Sequence, residues 1–256
     1  MVTIEMKNTS SAWLRALEHL LDCGGECFNM MVCIENPTQT EPAIQQAFEQ
    51  MLSKHGLLNL KQVVYTIFPW SLYKNFGKNP DKLFEIYNRK DGVYDRLRKY
   101  PRFGWGSYFR RMTYYPSENN QGNPVTVNQL NDIITMLRNR QKTLKARYTI
   151  LIQIPGRDMR RVIGGPCLDH IALQLTRSPK QLNLLAIYRN HDFVQRAYGN
   201  YLALGYLMQF LCEQTGYTLG TLNCLSSHAD INNMAGASSW PGKAELRKLV
   251  RSFNQS

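Results

Sequence analysis

The chain has 256 residues, 43% of them hydrophobic, which is enough to bury a sizeable core in one large domain or two small ones. Its 31 lysines and arginines outweigh 19 acidic residues for a formal charge of +12, a surplus that favours anionic partners such as nucleotides, nucleic acid or acidic surfaces. No apolar run reaches the ~20 residues of a membrane-spanning helix. The opening MVTIEMKNTSSAW lacks a signal-peptide core, and six unevenly spaced cysteines fit a reducing cytoplasm better than a disulfide framework.

In chain order, residues Ser10 to Leu21 read as a helix with Trp13, Leu14, Leu17, Leu20 and Leu21 on one face, stopped by Asp22-Cys23-Gly24-Gly25. Phe28 to Ile34 reads as a buried strand. Thr40 as cap and Pro42 in the first turn predict a helix over Ala43 to His55, ended by Gly56. Leu60 to Tyr73 is apolar and aromatic, broken at Pro69. Lys74 to Pro124, rich in aromatics, Arg, Lys, Gly and Asn, reads as helix plus long loops, where ligand contacts concentrate. Leu130, Ile133, Ile134 and Leu137 follow helical spacing.

The second half is more regular. Tyr148 to Ile154 is a predicted strand, and Ile171 to Thr176 with Leu182 to Tyr188 form a hairpin through Arg177-Ser178-Pro179-Lys180-Gln181. Asn200 opens an almost wholly apolar helix to Thr215, ended by Gly216. Tyr217 to Ser226 returns as a strand, Asn232 to Ser239 is small and polar, and Lys243 to Phe253 is a short basic helix. With no repeat, low-complexity segment or linker, the expectation is a single α/β domain over residues 1–256.

Three groups of residues carry chemistry. His19, Cys23, Cys27 and Cys33 have a ligand-like composition, but only Cys23 and Cys27 are spaced as a zinc pair, so no metal is expected. Arg96, Arg98, Lys99, Arg102, Arg110 and Arg111 interleave with Tyr94, Tyr100, Phe103, Trp105 and Tyr108, a mixture that stacks bases and grips phosphates in single-strand binders. The third group starts at Cys167, which follows Ile163-Gly164-Gly165-Pro166 and precedes a strand. Alone, this thiol reads as a small buried filler. Its ordered partners alter that: Arg189 lies 22 positions on, Asn200 another 11 and Asp230 another 30. A neighbouring arginine lowers a thiol pKa. His170, His191 and His228 lie close to these motifs, and histidine titrates near neutrality.

At these residues the chain resembles the thymidylate synthase family. Pro166-Cys167, Arg189-Asn190-His191-Asp192 and Asn200 match that family's motifs in order, Gly106-Ser107-Tyr108 resembles its Gly-x-Tyr, and Lys145-Ala146-Arg147-Tyr148 resembles its Arg-Arg strand. The resemblance covers about residues 104 to 232 and is faint over 10 to 73. It implies a mixed twisted β-sheet with helices on one face and a homodimer packed through the other. It also implies one-carbon transfer, methylation or hydroxymethylation, to C5 of a pyrimidine nucleotide, with 5,10-methylene-tetrahydrofolate as the carbon donor.

In that scheme Cys167 adds to C6, a covalent catalysis that makes C5 nucleophilic. Tyr108 orients a catalytic water, Arg189 holds phosphate and polarises the thiol, and Arg147 reaches the same phosphate from a partner subunit. Asn200 reads the base edge, Asp192 faces the folate or orders the water network, and Asn190, Asp230 and Asn232 contact the phosphate or sugar.

The departures bear on the substrate. Asp230 and Asn232 stand where the family has His-x-Tyr, Tyr148 replaces an arginine, Asn190 replaces a serine and Leu168 a histidine. Cys23-Gly24-Gly25-Glu26-Cys27 stands in place of an arginine-bearing phosphate loop, and no glutamate lies in Val63 to Trp70. With 26 residues after Asp230, the segments that cover folate in the family are expected to be missing or replaced. The competing expectation is a non-catalytic nucleotide- or nucleic-acid-binding protein on the same fold.

Overall fold

The structure is a computed structural model that describes residues 2–100, 104–139, 144–159, 165–233 and 236–254. Arg102, Phe103, Ile163 and Gly164 lie outside the described residues. The elements run β1 (Val2–Asn8), α1 (Thr9–Asp22), β2 (Glu26–Asn36), α2 (Pro42–Lys54), α3 (Leu60–Ile67), α4 (Trp70–Asn75), α5 (Pro80–Asn88), α6 (Val93–Arg98) and α7 (Tyr108–Thr113). There follow β3 (Tyr115–Glu118), β4 (Pro124–Val127), α8 (Gln129–Arg138), β5 (Tyr148–Leu151), α9 (Pro155–Asp158), β6 (Leu168–Leu175), β7 (Gln181–Tyr188) and β8 (His191–Asp192). The chain closes with α10 (Ala197–Thr215), β9 (Thr218–Asp230) and α11 (Lys243–Asn254).

Among the described residues seven strands form one mixed sheet in the order β1-β2-β9-β7-β6-β5, with β8 beside β9. The pairs β1–β2 and β7–β9 are parallel; β2–β9, β6–β7 and β5–β6 are antiparallel. Cross-strand register sorts the side chains into rows. One row runs Ile4, Val32, Cys224, Ala186, Ile171 and Ile150, the next Ile34, Leu222, Leu184, Leu173 and Tyr148, and every member is buried. These rows form the floor on which α1 and α10 pack. The alternate rows, Met31-Leu225-Ile187-His170-Leu151 and Cys33-Asn223-Leu185-Ala172-Thr149, are half-buried to exposed. Side chains alternate across a strand, so these rows point away from the helical layer.

The central helix α10 is buried on nearly all sides and ends at Gly216, whose φ of 70° supplies the left-handed cap. It is sealed closely at two glycines: a Cβ on Gly199 would lie 2.6 Å from Val63 Cγ1, and one on Gly205 would lie 2.4 Å from the Pro37 carbonyl oxygen. Helix α1 starts at an Asn8 cap, and its Trp13 Nε1 donates to the Phe193 carbonyl at 2.8 Å, tying α1 to the segment before α10.

Several predicted boundaries move. Asn200 does not open its helix; α10 begins at Ala197 and Asn200 is its fourth residue. The cap of α2 is Glu41, without a side-chain bond, rather than Thr40. The strand expected to reach Ile154 stops at Leu151, because Asp158 turns back to accept from Ile154 N at 2.8 Å and starts α9. Lys74 to Pro124 holds three short helices and the start of the β3–β4 hairpin rather than helix and long loops. Strand β1 was not anticipated.

Candidate active site

The ends of β6 and β7 hold Cys167 by its backbone. Arg189, the residue after β7, donates its backbone N–H to the Cys167 carbonyl at 2.9 Å, and its Nε donates to the Pro166 carbonyl at 3.1 Å. A register shift between Leu168 and His170 turns the strand just beyond the thiol, as a bulge re-aims a side chain at a sheet end. The third hold comes from 59 residues upstream: Cys167 N donates to Tyr108 Oη at 3.1 Å. Tyr108 opens α7, whose start is capped by the Ser107 hydroxyl, itself paired with Tyr87 Oη at 2.7 Å. Sequence-distant Tyr108, Cys167 and Arg189 are thus one hydrogen-bonded unit.

The electrostatics correct one expectation. Burial pushes the Cys167 thiol above its ordinary pKa, and this outweighs the lowering by Arg189 and Arg196; Asp192 and Asp169 push it further up. The thiol rests protonated near neutral pH and needs a base to become a nucleophile. Asp192 is the neighbouring group placed to titrate in that range, since burial lifts its carboxyl to about 6 even though its Oδ1 accepts from Val194 N and Gln195 N at 2.9 Å each. Burial also raises Asp169, whose Oδ1 accepts from Gln153 Nε2 at 3.0 Å.

Behind this unit lies a sealed polar core. His191 stacks on Tyr188 with ring centroids 4.0 Å apart and planes 1° apart. Its Nδ1 lies 2.9 Å from Ser226 Oγ and its Nε2 lies 3.1 Å from Asn200 Nδ2. Burial holds this ring neutral, with its pKa lowered to about 3, so Nδ1–H donates to Ser226 and Nε2 accepts from the Asn200 amide. Asn200 therefore spends an amide proton on His191. Its carbonyl oxygen takes no hydrogen bond among the described residues.

A third group lines the β2–β9 end. Asn190 Oδ1 lies 2.7 Å from His228 Nδ1, and His228 Nε2 lies 3.2 Å from Glu26 Oε2, with the exposed Phe28 ring 4.9 Å from the imidazole. Asp230 pairs in register with Asp192; its Oδ1 accepts from Asn232 N at 2.9 Å, and its buried Oδ2, 3.9 Å from His228 Nδ1, has no hydrogen-bond partner among the described residues. Asn232 itself is exposed. Arg147 is exposed beside the edge strand β5 and makes no bond to these groups. A cavity of about 360 Å³ lies beside Cys167, lined by Gln153, Pro155, Asp158, Met159, Pro166, Asp169 and Arg189. Cys167 and Asn200 are not among its lining residues.

No protein-family model matches the chain, and no curated protein does.

Sequence reasoning brought together Tyr108, Cys167, Arg189 and Asp192, but it missed several neighbours. Arg196 is a half-buried guanidinium whose charge acts on Cys167, Tyr108 and Asp192. Its signal was legible as a lone cation one residue ahead of an apolar helix. Asp169 and Gln153 carried no such signal. Nor did the buried Arg111–Asp158 pair, because Arg111 stood among six basic residues read as one surface. Of those residues, Arg110 lies over the rings of Tyr94 and Tyr114, at 4.7 and 3.7 Å from their centroids, so its guanidinium is spent on neighbouring aromatics. Among the described residues no group of three or more His, Cys, Asp or Glu side chains could hold a metal ion, and no helix is long and apolar enough to cross a membrane.

Proposed function

We propose that the chain transfers a one-carbon unit to C5 of a pyrimidine nucleotide through a covalent Cys167 adduct, in the manner of the thymidylate synthases it resembles. The observation that carries this reading is the set of three hydrogen bonds by which Tyr108 and Arg189 hold the Pro166-Cys167 backbone, two on Cys167 and one on Pro166, which gathers three of the resembling motifs around one thiol. Cys167 Sγ adds to C6 of the ring, the electron pair moves to C5, and the thiol proton passes to a base. We assign that role to Asp192, whose charge acts on the thiol. With a carbon attached at C5, loss of the C5 proton would expel the carrier's nitrogen from that carbon, and addition of hydride from the reduced carrier (methyl product) or of water (hydroxymethyl product) to the exocyclic methylene would expel the Cys167 thiolate from C6.

Arg189 spends its Nε on the Pro166 carbonyl, leaving its Nη groups for phosphate, and the charge of Arg196 also acts on the thiol. The Asn200 carbonyl oxygen is left to accept from a base edge, which suits the N3–H of uracil. A one-carbon donor of the methylene-tetrahydrofolate class supplies the carbon when bound. Two groups suit its flat, hydrogen-bonding pterin. One is the Asp192 carboxyl, an acceptor in its ionised form. The other is the half-buried Trp105 ring, 4.8 Å from that of Tyr108. The half-buried rows headed by Met31 and Cys33 suit a homodimer packed sheet to sheet, which would bring a partner's edge arginine into reach of the phosphate.

The test is exchange at C5. Incubation with a 5-deuterated pyrimidine nucleotide should release deuterium to water, and Cys167→Ala should stop it. Absence of exchange with uridine and cytidine nucleotides of either sugar would remove the catalytic reading. One observation favours a non-catalytic nucleotide-binding protein: the thiol is raised by burial rather than lowered by arginine. That reading predicts nucleotide binding with no exchange.

A further inference from the structure

The described residues contain one buried ion pair close to the thiol that the proposed chemistry does not use. Arg111 donates from Nη1 to Asp158 Oδ2 at 2.7 Å and from Nη2 to Asp158 Oδ1 at 2.9 Å, and both side chains are at most 5% exposed. Arg111 Nη1 also donates to the Ile152 carbonyl at 2.9 Å. A buried pair of this kind is weak evidence for stability, since well-packed apolar side chains of like volume often serve as well. Its position beside the thiol offers another account.

The pair closes a ring of interactions around Cys167. Arg111 lies three residues after Tyr108 on α7, a six-residue helix too short to place itself. Tyr108 holds Cys167 N. On the other side, Ile152 N donates to the Asp169 carbonyl at 3.0 Å, while Gln153 Nε2 donates to the Pro166 carbonyl at 2.9 Å and to Asp169 Oδ1 at 3.0 Å. The corner that Arg111 grips is therefore bonded to the residues flanking the thiol. We infer that the Arg111–Asp158 pair is a positioning device, fixing α7 at the depth where Tyr108 meets the backbone of the nucleophile.

This rests on the reading of Cys167 as the nucleophile, and its test needs no substrate. The pair is replaced together, Arg111→Met with Asp158→Leu, to avoid stranding a buried charge. Alkylation of Cys167 by iodoacetamide is followed by peptide mass against pH. The variant should fold and unfold cooperatively. Its Cys167 midpoint should fall by about one pH unit as the loosened helix lets water reach the thiol, so alkylation below the midpoint should run about tenfold faster. Tyr108→Phe should move the profile the same way, and adding the pair replacement to it should change nothing more.

A folded double variant with the wild-type profile would overturn the inference, as would effects that add to those of Tyr108→Phe. If the double variant does not fold, Arg111→Lys keeps the charge and loses the fork. It should shift the profile in the same direction, and an unchanged profile there would be equally decisive. Failure of C5 exchange leaves these outcomes readable, because alkylation reports on the thiol alone.

Discussion

Gly199→Ala tests the close approach of α10 and α3, on which the placement of Asn200 depends. The new Cβ would lie 2.6 Å from Val63 Cγ1, 2.7 Å from Val63 Cβ and 3.4 Å from Leu60 Cδ1. Val63 is buried and β-branched on a helix, so its side chain has essentially one rotamer and cannot swing aside. Overpacking of this kind costs about 1–3 kcal/mol, and the better helix propensity of alanine returns about 1 kcal/mol. The net expectation is a loss of up to about 2 kcal/mol, read as a lower urea midpoint with unchanged slope. Val63→Ala alone should cost about 2 kcal/mol for its lost methyls and cavity. Together the two changes fit one space, so the double variant should be less destabilised than the sum by about 1–2 kcal/mol. Additive losses, or a Gly199→Ala protein more stable than the parent, would refute the packing argument.

Four further outcomes follow from the site and the sheet. His191 is held neutral in the fold and is protonated once unfolded, so its burial contributes a loss of stability as pH falls from about 6.5 toward 3. Asp192 works in the opposite sense: raised to about 6, it takes up its proton first in the folded state, and the cost of its charge is relieved as pH falls from 6 to 4. Asp192→Asn should therefore gain stability over wild type by about 2 kcal/mol between pH 4 and pH 7 in urea titrations; a gap independent of pH contradicts the shift. Ile187→Glu places a charge in the middle of the Met31-to-Leu151 row and should turn a dimer into a monomer by light scattering; a monomeric wild type sinks the sheet-to-sheet assembly. Arg189→Leu should weaken nucleotide binding at least tenfold, and unchanged binding would place the phosphate elsewhere.

The sheet was legible where its pattern was strong. The hairpin of β6 and β7 and the apolar run of α10 announce themselves through turn residues and length. Strand β1 was missed because its seven residues mix Lys7 and Glu5 with Ile4, the only one buried, as an edge strand permits. The order β2-β9-β7 was not readable either, since parallel pairing of β7 with β9 depends on where the crossover helix packs rather than on local residues.

In the site, residue types and order pointed to Tyr108, Cys167, Arg189 and Asp192. What they could not reveal was competition between effects. A nearby arginine and a buried position act oppositely on a thiol, and only the geometry of Cys167 shows that burial wins. Likewise Asn200 looked free to read a base, yet His191, buried against Tyr188, claims one of its amide protons.

The central claim is that Cys167 forms a covalent bond to a pyrimidine ring. It is tested most directly by intact mass after incubation with 5-fluoropyrimidine nucleotides and methylene-tetrahydrofolate. The account predicts an adduct with the mass of the nucleotide plus the folate, mapped to the Cys167 peptide and absent from Cys167→Ala. An unmodified mass with every 5-fluoropyrimidine nucleotide, from a protein that binds them, would contradict it.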